Sequence, residues 1–156
     1  MTDLDASQWA FRVALLLDVI EHVEYDIDLL KQVHHYLRPQ GQVVITVPAY
    51  AWLWSQHDVI NHHYRRYTAS SLKKSLQCSG FHIQKMSFFN TFLFLPAMLK
   101  KIMDRNSKTI DPSQTIPRVS SRLNSVLKFI FVSEKYLLPY INYPFGISLI
   151  AIASKL

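Results

Sequence analysis

LLLDVIEHVEYDIDLLKQVHHYLRPQGQVVITVPAY, residues Leu15 to Tyr50, changes its hydrophobic period twice. It is entered through FRVALLL, Phe11 to Leu17, a mostly apolar run that suits a strand buried on both faces in a parallel sheet. Beyond Asp18 the period becomes helical, with apolar side chains at Ile27, Leu30, Val33 and Leu37. Glu24, Asp26 and Asp28 lie near the start of this stretch and Lys31, His34, His35 and Arg38 towards its end, as a helix dipole favours. Pro39 cannot continue the helix, Gly41 is expected to supply a turn, and QVVITV reads as a second β-branched strand ending at Pro48. Strand, helix and strand in this order form a crossover unit with parallel strands, and the fold class is α/β.

The same reading extends to the rest of the chain. Residues 48 to 67 form a long aromatic and histidine-rich loop at the carboxyl end of the second strand, the edge where open α/β sheets bind ligands. Thr68 has the character of an N-cap, Leu72 and Leu76 sit one turn apart, and Gly80 followed by Phe81 marks a helix stop. A third strand is predicted through FHIQKMSFF, a helix with Pro96 in its early turns over residues 91 to 103, and a mobile polar linker over 104 to 118. An amphipathic helix around Ser120 to Leu138 and a buried strand in GISLIAIAS complete one domain spanning residues 1 to 156.

The composition of the 156 residues, 49% hydrophobic and 18% charged, suits a globular domain with a sizeable core. A single cysteine, Cys78, excludes a disulfide framework and a multi-cysteine zinc site, and it is expected to be buried in its helix. With no signal peptide at its start, the chain is expected to be cytoplasmic. Seven of the eleven acids fall within the first 28 residues beside only one base, Arg12, whereas sixteen bases face four acids in the remainder. That asymmetry fits a phosphate-bearing partner or, equally, an acidic neighbouring region that is not in this chain. Of the uncharged runs, Tyr136 to Ser154 is nearly long enough to span a membrane, but Pro139, Asn142, Pro144 and Gly146 interrupt it, so a turn followed by a core strand is expected.

The quoted stretch, with its D-V-I-E-H turn and L-R-P-x-G turn, resembles the second half of a class I S-adenosylmethionine-dependent methyltransferase. HDVINHHYRRYT, SLQCSGF, MSFFN and YPFGISLIAIASK are similar to one subgroup of that family, and the resemblance covers about residues 11 to 155. It implies a partial Rossmann-like methyltransferase sheet comprising the family's fourth to seventh strands. In such a sheet the strands are parallel save for one antiparallel C-terminal strand inserted between the fifth and sixth, and helices lie on both faces. The family grips its cofactor through a glycine-rich loop after the first strand and an acidic residue after the second. Neither has a counterpart here, since Gly41, Gly80 and Gly146 are already assigned to turns or a strand entry. The expectation is an N-terminally truncated methyltransferase domain, inactive alone. Arg12 stands where the family commonly has an aspartate.

The resemblance places Leu17, Asp18 and Val19 beside the methionine end of S-adenosylmethionine. Asp18, Glu21 and His22 are the catalytic candidates, because methyl transfer to oxygen needs a hydroxyl deprotonated and a carboxylate or imidazole can take the proton. In some related O-methyltransferases a similar acid-x-x-Glu-His set holds a divalent metal; no metal is expected here. His57, His63, Tyr64, Arg65, Arg66 and Tyr67 are read as a lid over a small-molecule or lipid-like acceptor, with Arg65 or Arg66 available to clamp a carboxylate or phosphate. The bland alternative is that Tyr64, Arg66 and Tyr67 anchor the loop on the next helix. Trp52 and Trp54 are expected in the core ahead of an acceptor pocket. An unpaired fourth strand invites a homodimer or a partner chain that completes the sheet. The basic remainder and the apolar segment Phe88 to Leu99 suggest peripheral membrane contact. The bases are too scattered for nucleic acid, and no nucleophile elbow or activated cysteine is present.

Overall fold

The computed structural model describes residues 10–104, 128–129 and 132–156. The linker expected over 104 to 118 therefore lies outside the described residues from 105 onward, as does the first part of the helix expected around Ser120 to Leu138; residues 132–137 are helical.

Four strands form one sheet in the order β1-β2-β4-β3, with β1 at Phe11–Leu17, β2 at Leu37–Pro48, β3 at Phe81–Phe89 and β4 at Ser148–Lys155. β1 runs parallel to β2, and β4 enters antiparallel to both neighbours, Val43 facing Ala153 and Ile45 facing Ala151 on one side while Met86 faces Ala151 on the other. The α/β class and the reversed C-terminal strand are those expected from sequence. Helix α1, Asp26–Tyr36, links β1 to β2, α2 is the short Gln56–Ile60, α3 covers Ala69–Cys78 and α4 covers Thr91–Asp104.

Strict alternation along β2 and β4 buries Val43, Ile45, Val47, Leu149, Ala151 and Ala153 on one face, where they meet Leu30 of α1 and Leu72 and Leu76 of α3. Each of those leucines, fully withdrawn from water, contributes on the order of 1.5–3 kcal/mol. Thr68 caps α3, accepting a hydrogen bond from the Ser71 amide at 3.1 Å, and Gly80 ends it at φ +85°. The inward stripe of α3 is Leu72, Ser75, Leu76 and Ser79, so Cys78 falls off it and is exposed, contrary to the expectation of burial.

Leu37 is likewise not the last apolar residue of α1. The helix ends at Tyr36, and Leu37 already pairs with Phe11 as the buried first residue of β2. The register then jumps to Val13 against Gln42, so Arg38 to Gly41 form a wide bulge. Gln40, at φ 62°, takes the left-handed conformation in this turn, whereas Gly41 is needed for close approach: a Cβ there would lie 2.8 Å from the Arg38 carbonyl oxygen.

The opposite face of the sheet is covered at the β3 end. Ser87, in register with Ile150, accepts from the Tyr143 amide at 2.8 Å, and Lys85 donates to the Pro139 carbonyl at 2.8 Å. At the β1 end Val13, Leu15 and Leu17 remain more than half exposed. Among the described residues no helix is long and apolar enough to cross a membrane, and the run from Tyr136 to Ser154 resolves into the end of a helix, a turn and β4.

Candidate functional site

The carboxyl ends of β1 and β2 meet where the chain leaves β1. Asp18 adopts φ 52°, its amide donating to the Thr46 carbonyl at 3.0 Å and to Thr46 Oγ1 at 3.1 Å, while that hydroxyl donates to Asp18 Oδ1 at 3.2 Å. This ties the turn to β2 and leaves Leu17 and Val19 exposed beside it. One 3-10 turn, Ile20–His22, follows. Ile20 drops into the core, Glu21 is carried fully inside, and His22 points to the surface.

Neither carboxylate oxygen of Glu21 has a hydrogen-bond partner. Burial pushes its pKa up to about 7, and the charge of nearby Asp18 acts in the same direction. The backbone oxygen of Glu21 accepts from the Tyr64 amide at 2.7 Å, which holds the loop after β2 over the turn.

Two buried acids organise that loop. Asp58, fully buried, closes a capping box with Ser55, whose amide donates to Oδ2 at 2.8 Å. Arg66 grips the same carboxylate with Nε at 2.7 Å from Oδ1 and a terminal nitrogen at 2.8 Å from Oδ2, and His63 Nδ1 lies 2.9 Å from Oδ1. Burial alone would raise the Asp58 pKa, but Arg66, the Ser55 amide and His63 together hold it well below the usual carboxylate range. An ionised Asp58 accepts only, so His63 donates to it from Nδ1 and its Nε2 faces away from that carboxylate.

The second organiser is Asp26, at the start of α1. It accepts from Arg65 at 3.1 Å, from the Tyr67 hydroxyl at 2.9 Å and from Ser75 Oγ at 3.0 Å, so it clamps the loop to α1 and α3 together. Burial, followed by the charge of Asp26, pushes the Tyr67 phenol well above its ordinary value.

Of the residues expected from sequence, the structure therefore brings Glu21, His22 and His63 together, with Asp18 one turn away. The rings of His22 and His63 meet edge to face, 4.6 Å between centroids. His57 lies elsewhere on its own short helix, its Nε2 2.8 Å from the Asn61 amide nitrogen, and Tyr64 is exposed. Arg65, Arg66 and Tyr67 are engaged with internal acids. The expected core position of Trp52 is taken by Leu53; Trp52 is about half exposed, with its ring edge on Phe94. Tyr50, at φ 60°, stacks on Phe88 at 5.3 Å and continues this aromatic group. Asp26 was legible only as a helix-start acid and Asp58 only as part of a polar cluster. The Ser55-x-x-Asp58 spacing was the available signal for the latter.

A sheet ordered β1-β2-β4-β3 with its last strand reversed, and a titratable cluster at the carboxyl ends of its two parallel strands, define an α/β fold of the methyltransferase type. The chain belongs to the methyltransferase-domain family, whose model matches residues 2–85. No curated protein matches it. Among solved structures it is similar to phosphoethanolamine N-methyltransferase 2 of Haemonchus contortus in complex with S-adenosyl-L-methionine, at 16% identity and a TM-score of 0.51, over 93% of this chain and 33% of that one. It is similar to a putative methyltransferase of Bacillus halodurans at 15% identity and a TM-score of 0.52, over 97% and 69%. A methyltransferase of Mesorhizobium loti dependent on S-adenosylmethionine gives 13% identity and a TM-score of 0.54, over 94% and 62%. Likeness at these identities speaks for the fold alone. The chain spans between one third and about two thirds of the length of these structures.

The residues present fit the family's cofactor on one side only. Leu17, Asp18 and Val19 are open at the sheet edge, but no glycine is free to bring backbone against a nucleotide. Gly41 is packed on Arg38, Gly80 on the His34 ring, and a Cβ on Gly146 would lie 2.2 Å from the Phe89 carbonyl oxygen.

Proposed function

We propose that this chain is the acceptor-side portion of an S-adenosylmethionine-dependent methyltransferase, corresponding to the family's fourth to seventh strands and acting on a small-molecule or lipid-like acceptor. In the complete fold the cofactor supplies the methyl group, with its methionine end over Leu17, Asp18 and Val19. Glu21 takes the acceptor's proton, and His22 and His63 frame the approach. The observation that supports this reading is a buried, unpartnered carboxyl group with a pKa near 7 at the ligand-binding edge of the sheet, because such a group is matched to proton abstraction at neutral pH. Exposed Trp52 and the stacked Tyr50 suit an apolar acceptor.

Two measurements test it. Titrating S-adenosylmethionine into the chain alone is expected to give no saturable heat at millimolar ligand, and micromolar binding would refute the incomplete cradle. When a glycine-rich half from a relative is joined ahead of Phe11, methyl transfer from labelled cofactor is expected, and Glu21→Gln should slow it by roughly 10²–10⁴-fold. An unchanged rate would remove Glu21 as the base.

A second reading draws on the open end of the sheet. β1 is an edge strand with Val13, Leu15 and Leu17 exposed on one face, which suits pairing with another chain or a second copy. Sizing in solution is expected to show a dimer or larger species, and a monomer with a cooperative melt would count against it.

A further inference from the structure

We infer that α4 and the helical residues ahead of the last strand form a docking surface for an anionic membrane. α4 is amphipathic in the reverse of the usual sense. Among its described side chains, those that face solvent are Phe92, Leu95, Pro96, Leu99 and Ile102, all apolar. Phe92, Leu95, Leu99 and Ile102 recur at i, i+3, i+7 and i+10, which is one stripe of a helix. The polar groups turn inward instead: Thr91 Oγ1 donates to the Phe145 carbonyl at 2.9 Å, and Lys101 donates to the Trp54 carbonyl. Phe94, on the inner side, meets the rings of Tyr50, Trp52 and Phe145. The helix is thus apolar on both sides, the pattern of one that is covered on both, yet its outer stripe stands in solvent.

A second stripe repeats the pattern. Phe129, Val132 and Tyr136, at the same i, i+3 and i+7 spacing, are exposed, and Tyr140 is 86% exposed in the turn that follows. Lys128 and Lys135 are exposed one residue ahead of Phe129 and Tyr136, which puts both lysines along one border of the stripe. Glu134, the one acid in residues 128 to 137, is buried and accepts from the Thr91 amide at 3.0 Å. That bond ties the segment to the start of α4 and takes its carboxyl group off the surface.

Charge and residue type choose the occupant. Over residues 91 to 140 eight bases stand against three acids. Protein interfaces are depleted of lysine. Apolar and aromatic side chains bordered by lysine are instead the composition of a helix lying on an anionic bilayer, its apolar face sunk about 5–10 Å into the headgroup region. α4, at 14 residues, is short of the roughly 20 that a span needs, so it lies along the surface. β3 ends at Phe89, which faces Ser148 of β4, and Ser148 also faces Pro48 at the end of β2. α4 therefore leaves the same sheet edge that carries Asp18 and Glu21, and docking holds that edge beside the bilayer. A lipid acceptor drawn from it rests on the function proposed above; the docking itself does not.

Flotation of the full chain with vesicles tests it, using phosphatidylcholine alone and phosphatidylcholine with about one third phosphatidylserine. The chain is expected to float with the anionic vesicles, less so as salt is raised, and poorly with the neutral ones. Leu95→Glu combined with Leu99→Glu should lower partitioning by roughly tenfold or more, and so should Lys128→Glu combined with Lys135→Glu on anionic vesicles. All four side chains are exposed, so both double variants should fold, as circular dichroism and melting can verify. Absence of flotation with anionic vesicles would overturn the assignment, as would equal uptake by neutral ones or uptake unchanged in the Leu95 and Leu99 pair. Sizing without lipid completes the test: a dimer that the same pair dissolves would give the stripe to a second copy. Failure on any of these counts leaves Glu21 as the proposed base, since that role is read by methyl transfer.

Discussion

Exchanging Glu21 for Gln should stabilise the protein at alkaline pH and leave it nearly unchanged in acid. In the unfolded chain this carboxyl group loses its proton near its ordinary pKa of 4.5; in the fold, burial holds the proton to about pH 7. Between those values the folded state binds more protons, so stability falls as pH rises and the loss is complete above the folded pKa. The gap of about 2.5 pH units corresponds to about 3 kcal/mol. Urea unfolding of both proteins at pH 4.5 and pH 8 provides the assay. Because every other titrating group is shared, the advantage of Gln over Glu should grow by about 3 kcal/mol from the lower to the higher pH. An advantage that is the same at both values would show that Glu21 is solvated or hydrogen-bonded in solution, and the case for a poised base would fail with it.

Asp58→Asn should destabilise the fold by about 3–5 kcal/mol, because it leaves the Arg66 guanidinium, 13% exposed, without its counter-charge. Denaturant melts would detect it, and a loss under 1 kcal/mol would mean that Arg66 finds water instead. Gly146→Ala places a Cβ 2.2 Å from the Phe89 carbonyl oxygen at the entry to β4, a backbone contact that no rotamer relieves. A loss of roughly 2 kcal/mol or more is expected from the forced shift of β3 against β4, and an unchanged melting temperature would contradict the close approach.

The four strands were legible because alternation and β-branching mark them locally, and β3 occupies the very residues FHIQKMSFF. Their order was legible only through family resemblance. Nothing in GISLIAIAS says that it will slot between β2 and β3, since pairing depends on partners at least 59 residues away. Periodicity also misplaced Leu37: it fits the helical stripe as the residue one turn after Val33, and the chain extends there because Pro39 forbids helix beyond it. The site shows the same division. Glu21 and His22 were visible as a motif beside a strand end, whereas the pairing of Arg66 with Asp58 and of Arg65 and Tyr67 with Asp26 required the loop to fold back over α1 and α3.

That fold-back gives the loop its physical meaning. A run of His, Tyr and Arg beside a ligand-binding edge invites a reading in which the arginines seize an anion, yet each guanidinium already meets an internal carboxylate of matched charge. Among the described residues, the buried side-chain atoms left without a hydrogen bond are the two oxygens of Glu21 and the Nε of Arg38. The loop's arginines are thus neutralised by Asp58 of the loop and Asp26 of α1, and His63 is fixed against His22 beside a carboxyl group without a hydrogen-bond partner. Leaving such a group without a partner costs about 1–3 kcal/mol, and the fold bears that cost at the carboxyl ends of β1 and β2.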